Sequence, residues 1–286
     1  MTVPAQVLQV VHRTDYSYND VVNESHGRAH LLPREEPGQR VRSRSVQITP
    51  TADEMHEHRD YFGNRSTYFR LASPHTELAV VSTSVVEVSR HPVPWESLDG
   101  LPTTPVDPLD REMLLASPMV PRLPALQDYA ASLRVPQLGT ALRDLLSRLK
   151  EDFTYEAGST TVSTPVEHFL HTRKGVCQDF AHLLIGCLRL AGVPARYVSG
   201  YLQTVPPPGQ ARLAGADASH AWVSALVPGH GWLDLDPTND QQADSRYVVV
   251  ARGRDYCDVP PLKGVIFTKS STSTMQVAVD VIPLEV

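Results

Sequence analysis

Two cysteines close together in the sequence are candidates for a thiol nucleophile or for metal ligands. The segment "HTRKGVCQDFAHLLIGCLRLAGVPARYVSGY", residues 171–201, holds Cys177 and Cys187, two of the chain's three cysteines. A helix is predicted from about Cys177 to Ala191, with Gly192 ending it. Whether either thiol does chemistry therefore depends on its place in that helix.

Cys187 lies in the middle of an apolar helix face. The residues of this face recur at the intervals of a buried stripe: Phe180, Leu183, Leu184, Cys187, Leu188 and Ala191. A free cysteine in such a setting behaves as a small hydrophobic residue. We therefore expect Cys187 to be part of the protein core.

Cys177 has different surroundings. It lies at the predicted helix start, within four residues of Arg173 and Lys174. A helix N-terminus presents free N–H groups and a partial positive charge, which favour a thiolate and can hold an oxyanion. These features favour a nucleophile, although an inert buried cysteine near a helix end has the same position.

A shared metal site is the third interpretation of this stretch. Cys177, His182 and Cys187 are spaced five residues apart, and each such step turns a helix by about 140° net. The three side chains then point to different sides of the helix, and zinc sites use other spacings. We therefore expect no metal here. No phosphate-binding glycine loop is present in the sequence either, so no cofactor is expected.

A candidate base and acid lie in a predicted hairpin, "DASHAWVSALVPGHGWLDLDPTN". His220 begins one strand, "PGHG" forms the turn, and "WLDLDPT" is the returning strand. With a five-residue loop His220 faces Asp236 directly, and with a three-residue loop the two are diagonal neighbours on one face. Asp234 has the same parity and is the competing acid. The same residues also suit a surface histidine and a turn acid.

The rest of the chain must supply the elements that position these groups. Residues 6–90 have partial alternation of β-branched and aromatic residues between turn signals, which predicts a small antiparallel β-sandwich. Prolines then crowd one segment, and from about residue 110 the pattern becomes helical, with a leucine stripe in "LGTALRDLLSRL". The predicted organisation is an N-terminal domain 1–95, a Pro-rich linker 96–120 and a catalytic core 121–286. A long Pro- and Gly-rich loop is expected over 204–218.

Composition narrows the classes of function. The chain has 286 residues and a net charge of −6, which argues against a general nucleic-acid binder. No apolar run of about 18 residues predicts a membrane span, and no signal peptide is recognised at the N-terminus. Three cysteines do not make a disulfide framework. We therefore expect a cytoplasmic protein with reduced thiols and no membrane partner.

Three blocks of sequence together resemble the transglutaminase-like superfamily: "RKGVCQDFAHLLIGCLRLAGVPARYVSGYL", "SHAWVSALVPGHGWLDLDPTN" and "GRDYCDVPPLKG". Residues 6–90, with "HRTDYSY", "LLPR" and "DYFGN", resemble the bacterial transglutaminase-like N-terminal region. The resemblance spans almost the whole chain, in the family's order. It implies an α+β fold, in which an N-terminal antiparallel β-sandwich precedes a papain-like core of helices packed on an antiparallel sheet.

The same resemblance implies a catalytic triad. Cys177 would be the nucleophile, His220 the general base and later general acid, and Asp236, rather than Asp234, the residue that orients the imidazole. The implied activity is cleavage or transfer of amide bonds in peptides or proteins through a thioester. Hydrolysis, as in a cysteine protease or amidase, and transglutaminase-type acyl transfer remain alternatives.

Other site residues and one other function stay open. Tyr155 and Gln178 are candidates for the second oxyanion donor, while Arg254, Asp255 and Tyr256 match a family block of unassigned role. These last three would either line the cleft or form a structural salt bridge. The sequence has no calcium-loop spacing, so calcium dependence is not assumed. The alternative function is a non-catalytic binding or scaffold protein with an inert cleft.

Overall fold

The computed structural model describes residues 5–99, 107–204, 219–269 and 272–285. It has a mixed α+β architecture, which confirms the predicted fold class, and its two main sheets are antiparallel. The strands of the N-terminal sheet are β1 (Gln6–Ala29), β2 (Gln39–Thr49), β3 (Glu54–Arg59), β4 (Arg65–Leu71) and β5 (His75–Val88).

The core begins with helices and ends with a second sheet. Its helices are α1 (Pro108–Glu112), α2 (Gln127–Ala131), α3 (Leu138–Asp152), α4 (Val166–Thr172) and α5 (Cys177–Ala191). Two short strands, β6 (Thr154–Tyr155) and β7 (Lys174–Gly175), pair in parallel. The sheet has the order β11-β10-β9-β8-β12, with the strands β8 (Ala195–Leu202), β9 (Ser219–Val227), β10 (Gly231–Asp236), β11 (Gln241–Gln242) and β12 (Tyr247–Gly253).

Short 3-10 helices cover Trp95–Leu98, Pro124–Leu126 and Tyr256–Asp258, and two further strands, β13 (Leu262–Thr268) and β14 (Ser273–Leu284), follow the core sheet. Within the described ranges, no helix is long and apolar enough to cross a membrane. Residues 100–106 of the expected linker and 205–218 of the expected long loop lie outside the described residues.

The 24-residue strand β1 organises the N-terminal sheet. Its first half pairs with β5 and β14, and its second half pairs with β4 and β13. Phe69 and Leu71 of β4 share one core with Leu78 and Val80 of β5, although β4 and β5 do not pair with each other. The predicted antiparallel sheet at the N-terminus is therefore confirmed, and the structure shows it as one sheet.

The last two strands differ from the predicted division of the chain, which assigned all of 121–286 to the catalytic core. Strands β13 and β14 pair with β1 instead, with Val281 opposite Val10. Both valines are buried in the main core cluster. Alternation in the sequence indicates a strand but not its partner, and the free edge of β1 offers the unpaired N–H and C=O groups that these strands satisfy.

Helix α5 has the limits that the sequence predicts. It begins at Cys177 and ends at Ala191, and Gly192 follows in the left-handed conformation with φ 87°. Cys187 is fully buried in the core cluster, and burial raises the pKa of its thiol to about 12. The expectation that Cys187 is a core residue is therefore confirmed.

Gly200 marks a close approach within the core sheet, opposite His220 in the ladder between β8 and β9. A Cβ at this position would lie 2.1 Å from the Val248 carbonyl oxygen and 2.5 Å from the Trp222 ring. We expect Gly200→Ala to lower the free energy of unfolding by about 1–3 kcal/mol, because the overpacked indole must move. Urea denaturation measures the change, and an unaltered midpoint would contradict the expectation.

Candidate active site

Cys177 is the first residue of α5, and its side chain is partly exposed. The helix start is fixed by Asp179, whose Oδ2 accepts hydrogen bonds from the backbone N–H of Val176 at 2.8 Å and from Thr160 Oγ1 at 2.6 Å. The backbone N–H of Cys177 belongs to the first turn, where no intrahelical acceptor is available. Sequence reasoning missed Asp179, although an acid at the third helical position is a readable capping signal.

The hairpin that carries the base has the three-residue turn, the second of the two predicted alternatives. Strand β9 ends at Val227 and β10 begins at Gly231, and Leu235 lies opposite Val223. This register places His220 and Asp236 diagonally on one face of the sheet. His220 Nε2 lies 2.7 Å from Asp236 Oδ2, so the predicted juxtaposition of the two side chains is confirmed.

The thiol of Cys177 lies near His220 and contributes to the raised pKa of the imidazole. Because Nε2 is engaged by Asp236, the other ring nitrogen, Nδ1, is the atom left for the thiol. Burial alone would lower the pKa of His220, but the hydrogen bonds and charges of Asp236 and Cys177 raise it to about 10. The surroundings of His220 therefore favour the protonated form of the imidazole.

Asp236 is fully buried, and both of its carboxylate oxygens accept hydrogen bonds. Its Oδ1 accepts from the backbone of Thr238 at 2.9 Å, and its Oδ2 also accepts from Asn239 Nδ2 and Tyr247 Oη, both at 2.7 Å. Burial alone would raise the pKa of Asp236, but the contacts with His220, Asn239 and Tyr247 lower it below its usual value. The carboxylate is therefore ionised and fixed in orientation.

Two of these supporting residues were missed in the sequence. Asn239 lies three residues after Asp236 in "DPTN", and such an amide close to a strand end is a readable signal of a local side-chain hydrogen bond. Tyr247 lies on β12, two strands away from β9 in the sheet. No local sequence pattern distinguishes Tyr247 from an ordinary buried residue at the start of a strand.

Asp234, the competing acid, is engaged elsewhere. It binds Arg252 at 2.8 Å and 3.0 Å and accepts from Trp222 Nε1 at 3.2 Å. The Trp222 ring is buried and stacks near His220, with 6.1 Å between ring centroids. The structure therefore brings Asp236 to the imidazole, while Asp234 holds the indole beneath it.

The two candidate oxyanion donors differ in their availability. Tyr155 is half exposed, and its pKa is raised mainly by partial burial and further by the neighbouring Cys177. Tyr155 lies opposite Gly175 in the pair of β6 and β7, and Gly175 lies two residues before Cys177 in the chain. Gln178 is buried, and its Nε2 donates to the backbone carbonyl of Val162 at 3.0 Å. The amide of Gln178 is thus engaged within the protein.

The block that contains Arg254, Asp255 and Tyr256 forms a structural cluster next to α5. Arg254 makes an ion pair with Asp258 at 2.9 Å, as in the salt-bridge alternative. Asp255 accepts from the backbone N–H of Cys257 and Met119, both at 2.8 Å. The Tyr256 N–H donates to His182 Nε2 at 3.2 Å. None of these contacts involves His220.

The raised pKa of His220 predicts a pH-dependent contribution to stability. The imidazole binds its proton more tightly in the folded protein, with a pKa of about 10 against the usual 6.5. This contribution is therefore complete below pH 6.5 and is lost as the pH rises towards 10. We expect the stability difference between the parent and His220→Gln to be larger near pH 6 than near pH 10. Denaturation at several pH values measures it, and parallel pH profiles would contradict the assignment.

Two family models match the chain in order. The bacterial transglutaminase-like N-terminal region matches residues 8–87, and the transglutaminase-like superfamily matches residues 127–237. An uncharacterized protein of Mycobacterium tuberculosis is 47% identical, over 97% of this chain and 93% of its own length. A protein-glutamine gamma-glutamyltransferase of Pseudomonas aeruginosa is 35% identical over 143 residues, which cover 46% of this chain and 21% of that protein.

A solved structure has the same fold along nearly the whole chain. It belongs to a protein of Cytophaga hutchinsonii described as a candidate cysteine protease, and the two superpose with a TM-score of 0.82 at 19% identity. The match covers 99% of this chain and 92% of the other. With both family regions matched in order and a full-length relative at 47% identity, the chain belongs to the transglutaminase-like superfamily and carries the bacterial transglutaminase-like N-terminal region.

Proposed function

We propose that the protein is a thiol enzyme that acts on amide bonds of peptides or proteins through a thioester on Cys177. The observation that carries the proposal is the position of His220, which is hydrogen-bonded to the Asp236 carboxylate and lies near the Cys177 thiol. A nucleophile, a base within reach and a third group that orients the base are the parts that such catalysis needs. The superfamily membership supports the same activity.

The first half of the proposed reaction forms the acyl-enzyme. The Cys177 thiolate attacks the amide carbonyl carbon, and the resulting oxyanion is held by the N–H of Cys177 at the start of α5. Tyr155, half exposed and opposite Gly175, is the more available second donor because the amide of Gln178 is engaged. The His220 imidazolium then protonates the departing nitrogen as the carbon–nitrogen bond breaks, leaving a thioester and a neutral imidazole.

The second half of the reaction releases the acyl group. Neutral His220 takes a proton from water or from a primary amine, and that nucleophile attacks the thioester carbonyl. The carbon–sulfur bond then breaks, and Cys177 leaves as a thiolate beside the regenerated imidazolium. Asp236 remains ionised throughout and keeps the imidazole in place. Water gives a hydrolase and an amine gives an acyltransferase, so the two activities differ only in the second nucleophile.

Mass spectrometry of cysteine adducts tests the proposal, and the protein supplies its own control. Cys257 is an exposed free thiol, and burial and the nearby Asp255 raise its pKa. We expect iodoacetamide at pH 7 to label Cys177 at least about ten-fold faster than Cys257, because His220 places a positive charge beside it. With glutamine-containing peptides and a primary amine, we expect an acyl adduct on Cys177 that is absent in Cys177→Ala.

The products of the same incubation separate the alternatives. Peptide that carries the amine indicates acyl transfer, and shortened or deamidated peptide indicates hydrolysis. If Cys177 reacts no faster than Cys257 and no peptide changes, the thiol enzyme is excluded and the inert-cleft scaffold is favoured.

We further propose that the protein works in a reducing, cytoplasmic environment. Cys177, Cys187 and Cys257 are all free thiols, and the proposed chemistry needs Cys177 reduced. Cell fractionation with thiol-specific labelling would locate the protein and report the oxidation state of Cys177.

A further inference from the structure

A second cavity lies where the segments after β1 and β5 meet the core sheet. Its volume is about 620 Å³, and its walls include Arg34, Arg90, Arg196 and Arg252. The lining contains neither Cys177 nor His220. The cavity is therefore distinct from the thiol site, and four guanidinium groups line this one half-open space.

The carboxylates of Asp234 and Glu36 form ion pairs with three of these arginines. Arg252 binds Asp234 at 2.8 Å and Glu36 at 2.7 Å, and Arg90 binds Glu36 at 3.0 Å. Arg34 Nε lies 3.6 Å from the same Glu36. Three guanidinium groups share two carboxylates, so these ion pairs have a net positive charge even without Arg196. Glu35 also lines the cavity, but it is exposed and accepts from the backbone N–H of Val41 at 3.1 Å.

Among the described residues, no acid forms an ion pair with Arg196. Its guanidinium lies over the Trp232 ring, with Cζ 4.0 Å from the ring centroid. Its Nε is buried and has no hydrogen-bond partner within the described part of the chain. Burial, with a smaller effect of Arg252, lowers its pKa to about 9. A largely buried cation without a paired acid is costly, and an anion bound at the accessible end of the guanidinium would remove much of that cost.

We propose that this cavity binds a compact oxyanion, the phosphate or carboxylate group of a small molecule, with Arg196 as its main ligand. Trp232 covers one face of the guanidinium and fixes its plane, so that the N–H edge can bind two oxygens of one anion. Arg34 lines the same cavity and adds positive charge to it, although its Nε lies 3.6 Å from Glu36.

Titration with inorganic phosphate and with acetate tests the proposal, each at an ionic strength held constant with sodium chloride. We expect a saturable rise in the melting temperature of the parent protein, and isothermal titration calorimetry should give a dissociation constant at least about ten-fold larger for Arg196→Gln. Arg143→Gln is the matched control, since Arg143 is exposed and pairs only with the neighbouring Asp144 at 3.2 Å. Its affinity should equal that of the parent. Tighter binding of phosphate identifies a phosphate ligand, and tighter binding of acetate a carboxylate ligand.

A second variant protects the test against misfolding. Trp232→Leu keeps the cation but removes the platform beneath it, so we expect intermediate weakening of the same anion. Cys177→Ala should bind as tightly as the parent, which separates this site from the proposed catalysis. The proposal is overturned if chloride alone reproduces the rise in melting temperature, or if Arg196→Gln and Trp232→Leu both retain the parental affinity.

Discussion

Replacing Asp236 by asparagine is expected to lower kcat/KM for an amide substrate by about 10³–10⁴-fold. The carboxylate accepts hydrogen bonds from His220, Asn239 and Tyr247. An asparagine amide accepts through one atom and donates through the other, so one of these donors would face another donor. The imidazole then loses either its orientation or the negative charge that stabilises its protonated form. Steady-state turnover of a peptide that acylates Cys177 provides the measurement.

Asp234→Asn is the matched control for this experiment. Asp234 lies on the same strand and the same face, two residues away, but it binds Arg252 and Trp222. We expect this variant to keep kcat/KM within about ten-fold of the parent while it loses stability, because Arg252 loses a buried charged partner. Equal activity in the parent and Asp236→Asn, or equal losses in the two variants, would contradict the role proposed for Asp236.

Replacing Arg252 by methionine is expected to lower the free energy of unfolding by about 3–5 kcal/mol at pH 7. Arg252 is buried between Asp234 and Glu36, which lie 2.8 Å and 2.7 Å from it. Methionine keeps much of the volume but leaves two carboxylates without their main cationic partner. Urea denaturation measures the loss. Arg143→Gln, which removes an exposed ion pair with Asp144, should change stability by less than about 0.5 kcal/mol.

The destabilisation caused by Arg252→Met should become smaller as the pH falls. Burial alone would raise the pKa of Asp234 and of Glu36, but Arg252 helps to lower both below their usual values of 3.8 and 4.5. Their pairing therefore stabilises the fold above these values and is lost as the pH falls through the folded-state pKa values. The difference between the parent and Arg252→Met should shrink in acid. A loss below about 1 kcal/mol at pH 7 would show that the network contributes little.

Local sequence patterns were sufficient for the elements that hold the thiol and the imidazole. Gly192 predicted the end of α5, and the apolar face around Cys187 predicted the side of the helix that is buried. Both features depend only on neighbouring residues. Strand parity placed His220 and Asp236 on one face, since an even register keeps alternate residues together. The choice between a three- and a five-residue turn remained open because both preserve that parity.

Long-range pairing could not be predicted in the same way. Arg252 and Glu36 are 216 residues apart, and no local pattern relates them. Tyr247 reaches Asp236 only because β12 joins the sheet next to β8. The predicted division placed the last strands in the core for the same reason. The segment "STMQVAVDVIPL" alternates as any half-buried strand would, and this pattern does not indicate which strand it pairs with.

The pairing of β13 and β14 with β1 has a consequence for biosynthesis. Residues 7–18 of β1 leave the ribosome early, but their partners at 273–284 are translated only after the whole core. This edge of β1 therefore has no partner until residues 273–284 have been synthesised. A separately expressed fragment of residues 1–95 would leave the same edge exposed. The core is in this sense an insertion between two parts of one sheet, and that sheet cannot be completed before the core has been synthesised.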